Sequence, residues 1–368
     1  MVTAHLYLHV PFCARKCPYC DFNSVAGRET EYAAYVEALL TEVRRLPAGP
    51  YQTIYLGGGT PSILPPHLLA RLCAGVRDHL DLADHYEWTC EANPGSGDAE
   101  RFAALAEHGV NRLSLGIQST HDRHLRFLGR VHDAADAERA VAAAVNYFPR
   151  VSCDLIMGLP DQDPADLIQD LAFVRRHQLA HASVYHLAYE PGTAFHVQRD
   201  RGVLADISPE RSRIFFNALW DGLSDLGLAM YETSNFARPG HESQHNLACW
   251  RQRDYHAAGA GAVSTVAGVR LTRQAQSSAY IAAITAGGDA VAVREDLTAI
   301  EILREAWMLG LRLVEGVRLE RLNDDERRWR PLAAPLFDAG LIQEQEGFLR
   351  LTRAGRPVQD EVTVRLMP

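Results

Sequence analysis

The stretch Cys13-Ala-Arg-Lys-Cys17-Pro-Tyr-Cys20 decides how the rest of the chain is read. Three thiols separated by three and two residues can wrap one loop around a single metal centre. A structural zinc site takes four protein ligands. Three thiols therefore leave an incomplete zinc site, or an iron–sulfur cluster with one iron open to a small molecule. Thiolates are the ordinary ligands of such clusters. A zinc loop or three unrelated thiols is the alternative at this point.

The sequence around the loop alternates between strand and helix signals. Leu6-Tyr-Leu-His-Val10 reads as a strand leading directly into the cysteines. Further strands are expected at 53–56, 86–91, 112–115, 151–157 and 182–187, with helices at 28–46, 66–80, 98–108, 134–147 and 164–177 between them. Strands joined by helices with short connections imply a parallel sheet. A full eight-unit barrel would need two more units, and the pattern becomes irregular after Glu190. The expected fold is therefore α/β, an incomplete (β/α)6 barrel with an open side. The cysteines, Gly57-Gly58-Gly59, Glu91, Gln118, Asp154 and Tyr185 each fall at or just after a strand end. In a parallel barrel those ends share one mouth, where active sites are built. Past the sixth strand, a helix is expected at 209–226, a strand at 228–233 and a loop at 237–250. The pattern breaks at Thr285-Ala-Gly-Gly-Asp289. That places residues 1–285 in the barrel with its extension and residues 286–368 in a small α+β, winged-helix-like domain. The latter opens with a helix at 298–311 and carries a hairpin at 341–351 turning on Gly347.

Composition narrows the function. The 368 residues are 47% hydrophobic, enough for a large core, and the net charge of −9 argues against a nucleic-acid partner. Only three of the seven cysteines form a motif, which does not suggest a disulfide framework. No window has the roughly 18 apolar residues of a transmembrane helix, and Met1-Val-Thr-Ala-His5 lacks the basic start of a signal peptide. A cytoplasmic location without stable membrane insertion is expected, with transient contact to membrane proteins left open.

The order of motifs resembles one family along nearly the whole chain. Tyr7-Leu-His-Val-Pro-Phe-Cys13, Cys17-Pro-Tyr-Cys20-Asp-Phe22, Gly57-Gly-Gly-Thr-Pro-Ser62, Glu91-Ala-Asn-Pro94, Arg112-Leu-Ser-Leu-Gly-Ile-Gln-Ser119, Leu128-Gly-Arg-Val-His132 and Asp154-Leu-Ile-Met-Gly-Leu-Pro160 all fit. So do Glu190-Pro-Gly-Thr193 and Tyr231-Glu232. Together they are similar to the oxygen-independent coproporphyrinogen III oxidase-like proteins of the radical S-adenosylmethionine (SAM) superfamily. The resemblance implies that Cys13, Cys17 and Cys20 ligate a [4Fe–4S] cluster. It also implies that Tyr7, Tyr19, Gly58, Gly59, Thr60, Glu91, Gln118, Arg130 and Asp154 contact SAM. Reduction of the cluster by an electron donor would then cleave SAM to methionine and a 5′-deoxyadenosyl radical. Read from the residues alone, the glycine run also serves as a tight turn, and Glu91, Gln118, Arg130 and Asp154 also serve as strand-end caps or ion pairs.

The branch is a separate question. True coproporphyrinogen oxidases of this family carry a further cysteine two residues past the third ligand and a longer segment before the motif. Here that position is Phe22, and twelve residues precede Cys13. Both features resemble the haem chaperone branch, whose members bind haem and deliver it to respiratory proteins. That branch carries a His-Asn-x-x-Tyr-Trp motif, and this chain has His245-Asn-Leu-Ala-Cys249-Trp250, with cysteine in place of tyrosine. His245 and Cys249 are candidate axial haem ligands; the alternative for His245 is a histidine hydrogen-bonded in a packed loop. The expected function is a haem chaperone. The alternatives are radical decarboxylation of coproporphyrinogen III, another radical porphyrin reaction, or a zinc-binding interaction module. Whether SAM is turned over stays open.

Overall fold

The computed structural model describes residues 4–367. Six parallel strands lie side by side in chain order: β1 (Ala4–Val10), β2 (Tyr51–Gly58), β3 (Leu82–Ala92), β4 (Arg112–Gln118), β5 (Arg150–Met157) and β6 (His181–His186). Three short strands extend the sheet. Ala229–Glu232 (β7) and Asn235–Ala237 (β8) continue it beyond β6, with β8 antiparallel to β6. His256–Ala258 (β9) runs parallel to β1 at the opposite edge. The sheet keeps two free edges, β9 and β7, so it is the open, incomplete barrel expected.

Strand alternation gives this sheet two chemically different faces. Leu6, Leu8, Ile54, Leu56, Trp88, Cys90, Leu113, Leu115 and Cys153 are buried in the main apolar core under the helices. The intervening positions are polar, and the register lines them up across the strands. Tyr7 lies beside Tyr55 and Tyr55 beside Thr89. Glu91 lies beside Ser114, and Asp154 lies between Gly116 and Ser183. Parallel sheets covered on both faces usually read as continuous apolar runs; here the inner face is polar and hydrogen-bonded.

The outer helices run over residues 32–43, 66–77, 99–107, 134–147, 164–176 and 209–225. Asp98, Asp133 and Asp163 cap three of them, the last two in full capping boxes. The expected loop at 237–250 is corrected at its end: Gln244–Trp250 is a helix started by Ser243. Short helices at Asp122–Phe127 and Ala194–Asp200 were also not expected.

Strands Val263–Val266, Val269–Arg273 and Val291–Asp296 form a separate antiparallel sheet. Residues 291–296, expected in the accessory domain, therefore pair with residues 269–273 of the extension, and we place the division between the two units at residue 297. The C-terminal unit has helices at 299–310, 326–338 and 359–366 and a three-stranded antiparallel sheet. Its own core is built on Trp307, Leu311, Trp329, Leu349 and Leu366.

One buried cluster ties the extension to the first outer helix. Glu42 accepts from Arg273 at 3.0 Å, from the Tyr280 hydroxyl at 2.6 Å and from the Gly259 backbone at 2.9 Å. Removing one partner of a buried pair leaves the other charge unsatisfied. Glu42→Ala is expected to lower unfolding stability by about 3–5 kcal/mol, read as a lower urea midpoint. An unchanged midpoint would show that this anchor contributes nothing.

Candidate functional site

The three cysteines sit in the loop between β1 and the first outer helix, partly exposed and unpaired. The loop is anchored to the end of β2. Gly59 N–H donates to the Val10 carbonyl and Thr60 N–H to the Phe12 carbonyl, both at 2.8 Å. The Cys13 sulfur lies 3.6 Å from the Thr60 hydroxyl. The Cys17 sulfur accepts from Arg130 at 3.6 Å, and the same guanidinium nitrogen lies 3.4 Å from the Tyr19 hydroxyl. Burial pushes the Cys13 and Cys20 thiols up, and repulsion from neighbouring thiolates adds to it. The Phe22 backbone hydrogen-bonds Cys20, while the Phe22 side chain is 61% exposed.

Arg130 is the hub of the site. It donates to the Gly116 carbonyl at 3.0 Å and to the Asn93 side-chain carbonyl. Asn93 in turn donates to the Thr60 hydroxyl at 2.6 Å. Asn93 was missed from sequence; the signal available was its place in Glu91-Ala-Asn-Pro94, directly after β3.

The glycines are required by packing. Gly58 has φ +116°, and a Cβ there would lie 2.5 Å from the His9 ring; one on Gly59 would lie 2.6 Å from the Phe12 carbonyl. Neither clash is tolerable. Gln118 adopts φ +67° at a bulge where β4 loses register with β5. A non-glycine residue in this region is uncommon, and such strain concentrates at functional sites.

Two carboxylates stand on the inner face below the mouth. Burial pushes Glu91 up to about 7, against hydrogen bonds from Tyr55 and the Gly58 N–H, and the Asp154 charge adds to the rise. Burial pushes Asp154 up to about 6, opposed by hydrogen bonds from Ser183 and Ser114. Tyr55, Ser114 and Ser183 were not singled out from sequence; period-two placement on these strands was the only signal for them. Tyr7 lies on the same face, 3.0 Å from His9, with its phenol pushed up by burial. Tyr185 is exposed at the end of β6.

The structure thus brings Cys13, Cys17, Cys20, Tyr19, Gly58, Gly59, Thr60, Gln118 and Arg130 to one end of the sheet, with Tyr7, Glu91 and Asp154 along its inner face. It does not bring His245 or Cys249 to that end. His245 is buried, with Nδ1 2.9 Å from the Thr53 hydroxyl and its ring 5.1 Å from that of Tyr55. Burial lowers its pKa to about 3, so the imidazole is neutral. Its backbone N–H and that of Gln244 donate to the buried Glu87 carboxylate, which caps the helix N-terminus. Cys249, one turn later, lines a separate cavity that His245 does not reach.

The radical SAM superfamily model matches residues 7–174, and the HemN C-terminal domain model matches residues 297–358. The haem chaperone HemW of Synechocystis sp. is 36% identical, over 87% of this chain and 81% of that protein. HemW of Mycobacterium tuberculosis is 35% identical, over 98% of this chain and 94% of that protein. The chain belongs to the radical SAM superfamily, in the HemW family of haem chaperones. The coproporphyrinogen III oxidase HemN of Escherichia coli superposes with a TM-score of 0.85 over 99% of this chain and 90% of its own, at 23% identity, and so shares the fold.

Radical SAM membership implies a [4Fe–4S] cluster and SAM. The donors present fit a cluster: three neighbouring thiols on one loop, with a buried Arg130 Nε–H beside them that has no partner among the described residues. Among the described residues, no three His, Cys, Asp or Glu side chains close around a single metal ion. None of the described helices is long and apolar enough to cross a membrane.

The Glu91 carboxyl gives a pH signature. Its folded pKa of about 7 lies above its ordinary 4.5. The stability it contributes is therefore complete below about pH 4.5 and is lost as the pH rises through about 7. Between pH 5 and pH 8 the natural protein should lose about 1–3 kcal/mol more stability than Glu91→Gln, compared by urea titration at both values. Parallel losses would refute the shift.

Proposed function

We propose that the protein is a cytoplasmic haem chaperone that binds haem and passes it to haem-requiring respiratory proteins. The observation that carries this reading is family membership at 35–36% identity over most of both chains. The site agrees with it: where the oxidase branch has a fourth cysteine, Phe22 projects into solvent.

In this reading Cys13, Cys17 and Cys20 hold the cluster, which supplies a low-potential electron when reduced by a partner donor. Tyr7, Tyr19, Gly58, Gly59, Thr60, Glu91, Gln118, Arg130 and Asp154 hold SAM. Arg130 places positive charge beside Cys17 and fixes Asn93, which orients Thr60. Glu91 and Asp154 are polar anchors whose burial strengthens any hydrogen bond they make. His245 and Cys249 are the candidate haem ligands, the first by a neutral imidazole and the second by a thiolate.

Anaerobically reconstituted protein should hold about four irons per chain, as one such cluster requires, bind haem, and leave coproporphyrinogen III unchanged in the presence of SAM and a reductant. Cys17→Ala should lose most of that iron. Clear decarboxylation, followed by chromatography of the porphyrins, would overturn the chaperone reading in favour of the oxidase.

A further inference from the structure

The first strand carries a buried histidine that the site described so far does not use. Leu6 and Leu8 of β1 face the core, so Tyr7 and His9 share the inner face. His9 is 5% exposed and its ring is held from three sides. Nε2 lies 2.8 Å from the Asn23 backbone carbonyl, and Nδ1 lies 3.0 Å from the Tyr7 hydroxyl. Gly58 packs so closely on the ring that a Cβ there would lie 2.5 Å from it. Asn23 is itself pinned: its side-chain NH2 donates to the carbonyls of Ala260 and Ala275, both at 2.9 Å. The carbonyl that meets His9 is therefore fixed by the extension as well as by the cysteine loop.

These contacts decide where the protons sit. A carbonyl only accepts, so Nε2 carries the ring proton. Burial lowers the His9 pKa, opposed by the bond to Asn23, and the ring is neutral. A neutral imidazole protonated on Nε2 has only a lone pair on Nδ1. The Tyr7 hydroxyl must then donate to Nδ1, and its oxygen is left able only to accept from a third group. The charged groups of the neighbouring elements are engaged elsewhere. Glu91 accepts from Tyr55 and the Gly58 N–H. Glu42 accepts from Arg273, Tyr280 and the Gly259 N–H. The Tyr35 hydroxyl donates to the His9 carbonyl and leaves the ring alone.

We propose that His9 is a positioning residue for SAM: by holding the Tyr7 proton on its own Nδ1, it makes Tyr7 an acceptor that takes a hydrogen-bond donor of the ligand and turns away its carboxylate. SAM offers such donors in its amino groups, whereas its carboxylate and sulfonium have none. The inference rests on the assignment of Tyr7 to SAM and adds the polarity of that contact and the residue that sets it. The shared proton stays on the Tyr7 oxygen throughout, and no bond is made or broken.

The test is calorimetric titration of the anaerobically reconstituted full-length protein with SAM at neutral pH, with cluster iron content as the check on the loop. Tyr7→Phe and His9→Gln should each weaken SAM binding about tenfold. His9→Gln keeps a donor for the Asn23 carbonyl but sets no acceptor before Tyr7. His9→Asn, whose amide oxygen stands near the place of Nδ1, should bind SAM like the natural protein. In a Tyr7→Phe background His9→Gln should cause no further loss, because the hydroxyl it orients is gone. Three results would each overturn the inference and leave the SAM reading standing: His9→Gln binding like the natural protein, His9→Asn binding as weakly as His9→Gln, or a His9→Gln loss repeated in full beside Tyr7→Phe. If the natural protein holds its cluster and binds no SAM, both are overturned.

Discussion

The site depends on main-chain contacts that only glycine permits. Gly59 brings the end of β2 against the backbone of Pro11 and Phe12, so the cysteine loop is fixed from its first residue. From there the hydrogen bonds have a direction. Arg130 is donor-only, so the Asn93 side chain must turn its carbonyl toward it and its NH2 toward Thr60. The Thr60 oxygen thereby accepts from Asn93, and its proton is free for the Cys13 sulfur. One cation thus orients Asn93 and, through it, Thr60, while also facing Cys17 and Tyr19 directly.

Much of this was legible in the chain. Strands followed by glycine or by a polar residue, with 3.6-residue periodicity between them, identify six repeating units, and each cluster of unusual residues falls where a parallel barrel collects its strand ends. What was hidden was the inner face. Leu6-Tyr-Leu-His alternates as a strand should, but alternation alone does not say that Tyr7, Tyr55, Glu91, Ser114 and Asp154 share one surface. That is set by register, and register is a pairing property. The same limit hid Asn93, whose role exists only between Thr60 and Arg130.

The shorter elements failed for a different reason. β8 and β9 have three residues each, too few for a period to show, and they form because the edges of β6 and β1 offer unpaired backbone groups. The break at Thr285-Ala-Gly-Gly-Asp289 was read as a domain boundary because glycine and aspartate mark turns. After that turn the chain reverses from the helix Ser277–Thr285 and returns as Val291–Asp296 to pair with Val269–Arg273. The main core accordingly extends to Ala290, and the C-terminal core begins with Trp307.

The helix Gln244–Trp250 is where the two halves of the chemistry meet. Its first turn is held by Glu87 and packs His245 against Thr53 and Tyr55 on the inner face of the sheet. Its last turn presents Cys249 and Trp250 to the cavity beside the C-terminal unit, and Arg312 of that unit stacks on the Trp250 ring at 4.3 Å. Arg312 also pairs with Glu232 at 3.3 Å, while the Val314 N–H donates to the Tyr231 carbonyl of β7 and the Thr233 N–H to the Arg312 carbonyl. Thr53 and Tyr55 thus contact His245 on the same short helix that carries Cys249. Gly58, Glu91, Tyr55 and His245 are in successive contact across the inner face. His245 is thus held on the inner face of the sheet, while Cys249, at the other end of the same helix, lines the cavity beside the C-terminal unit.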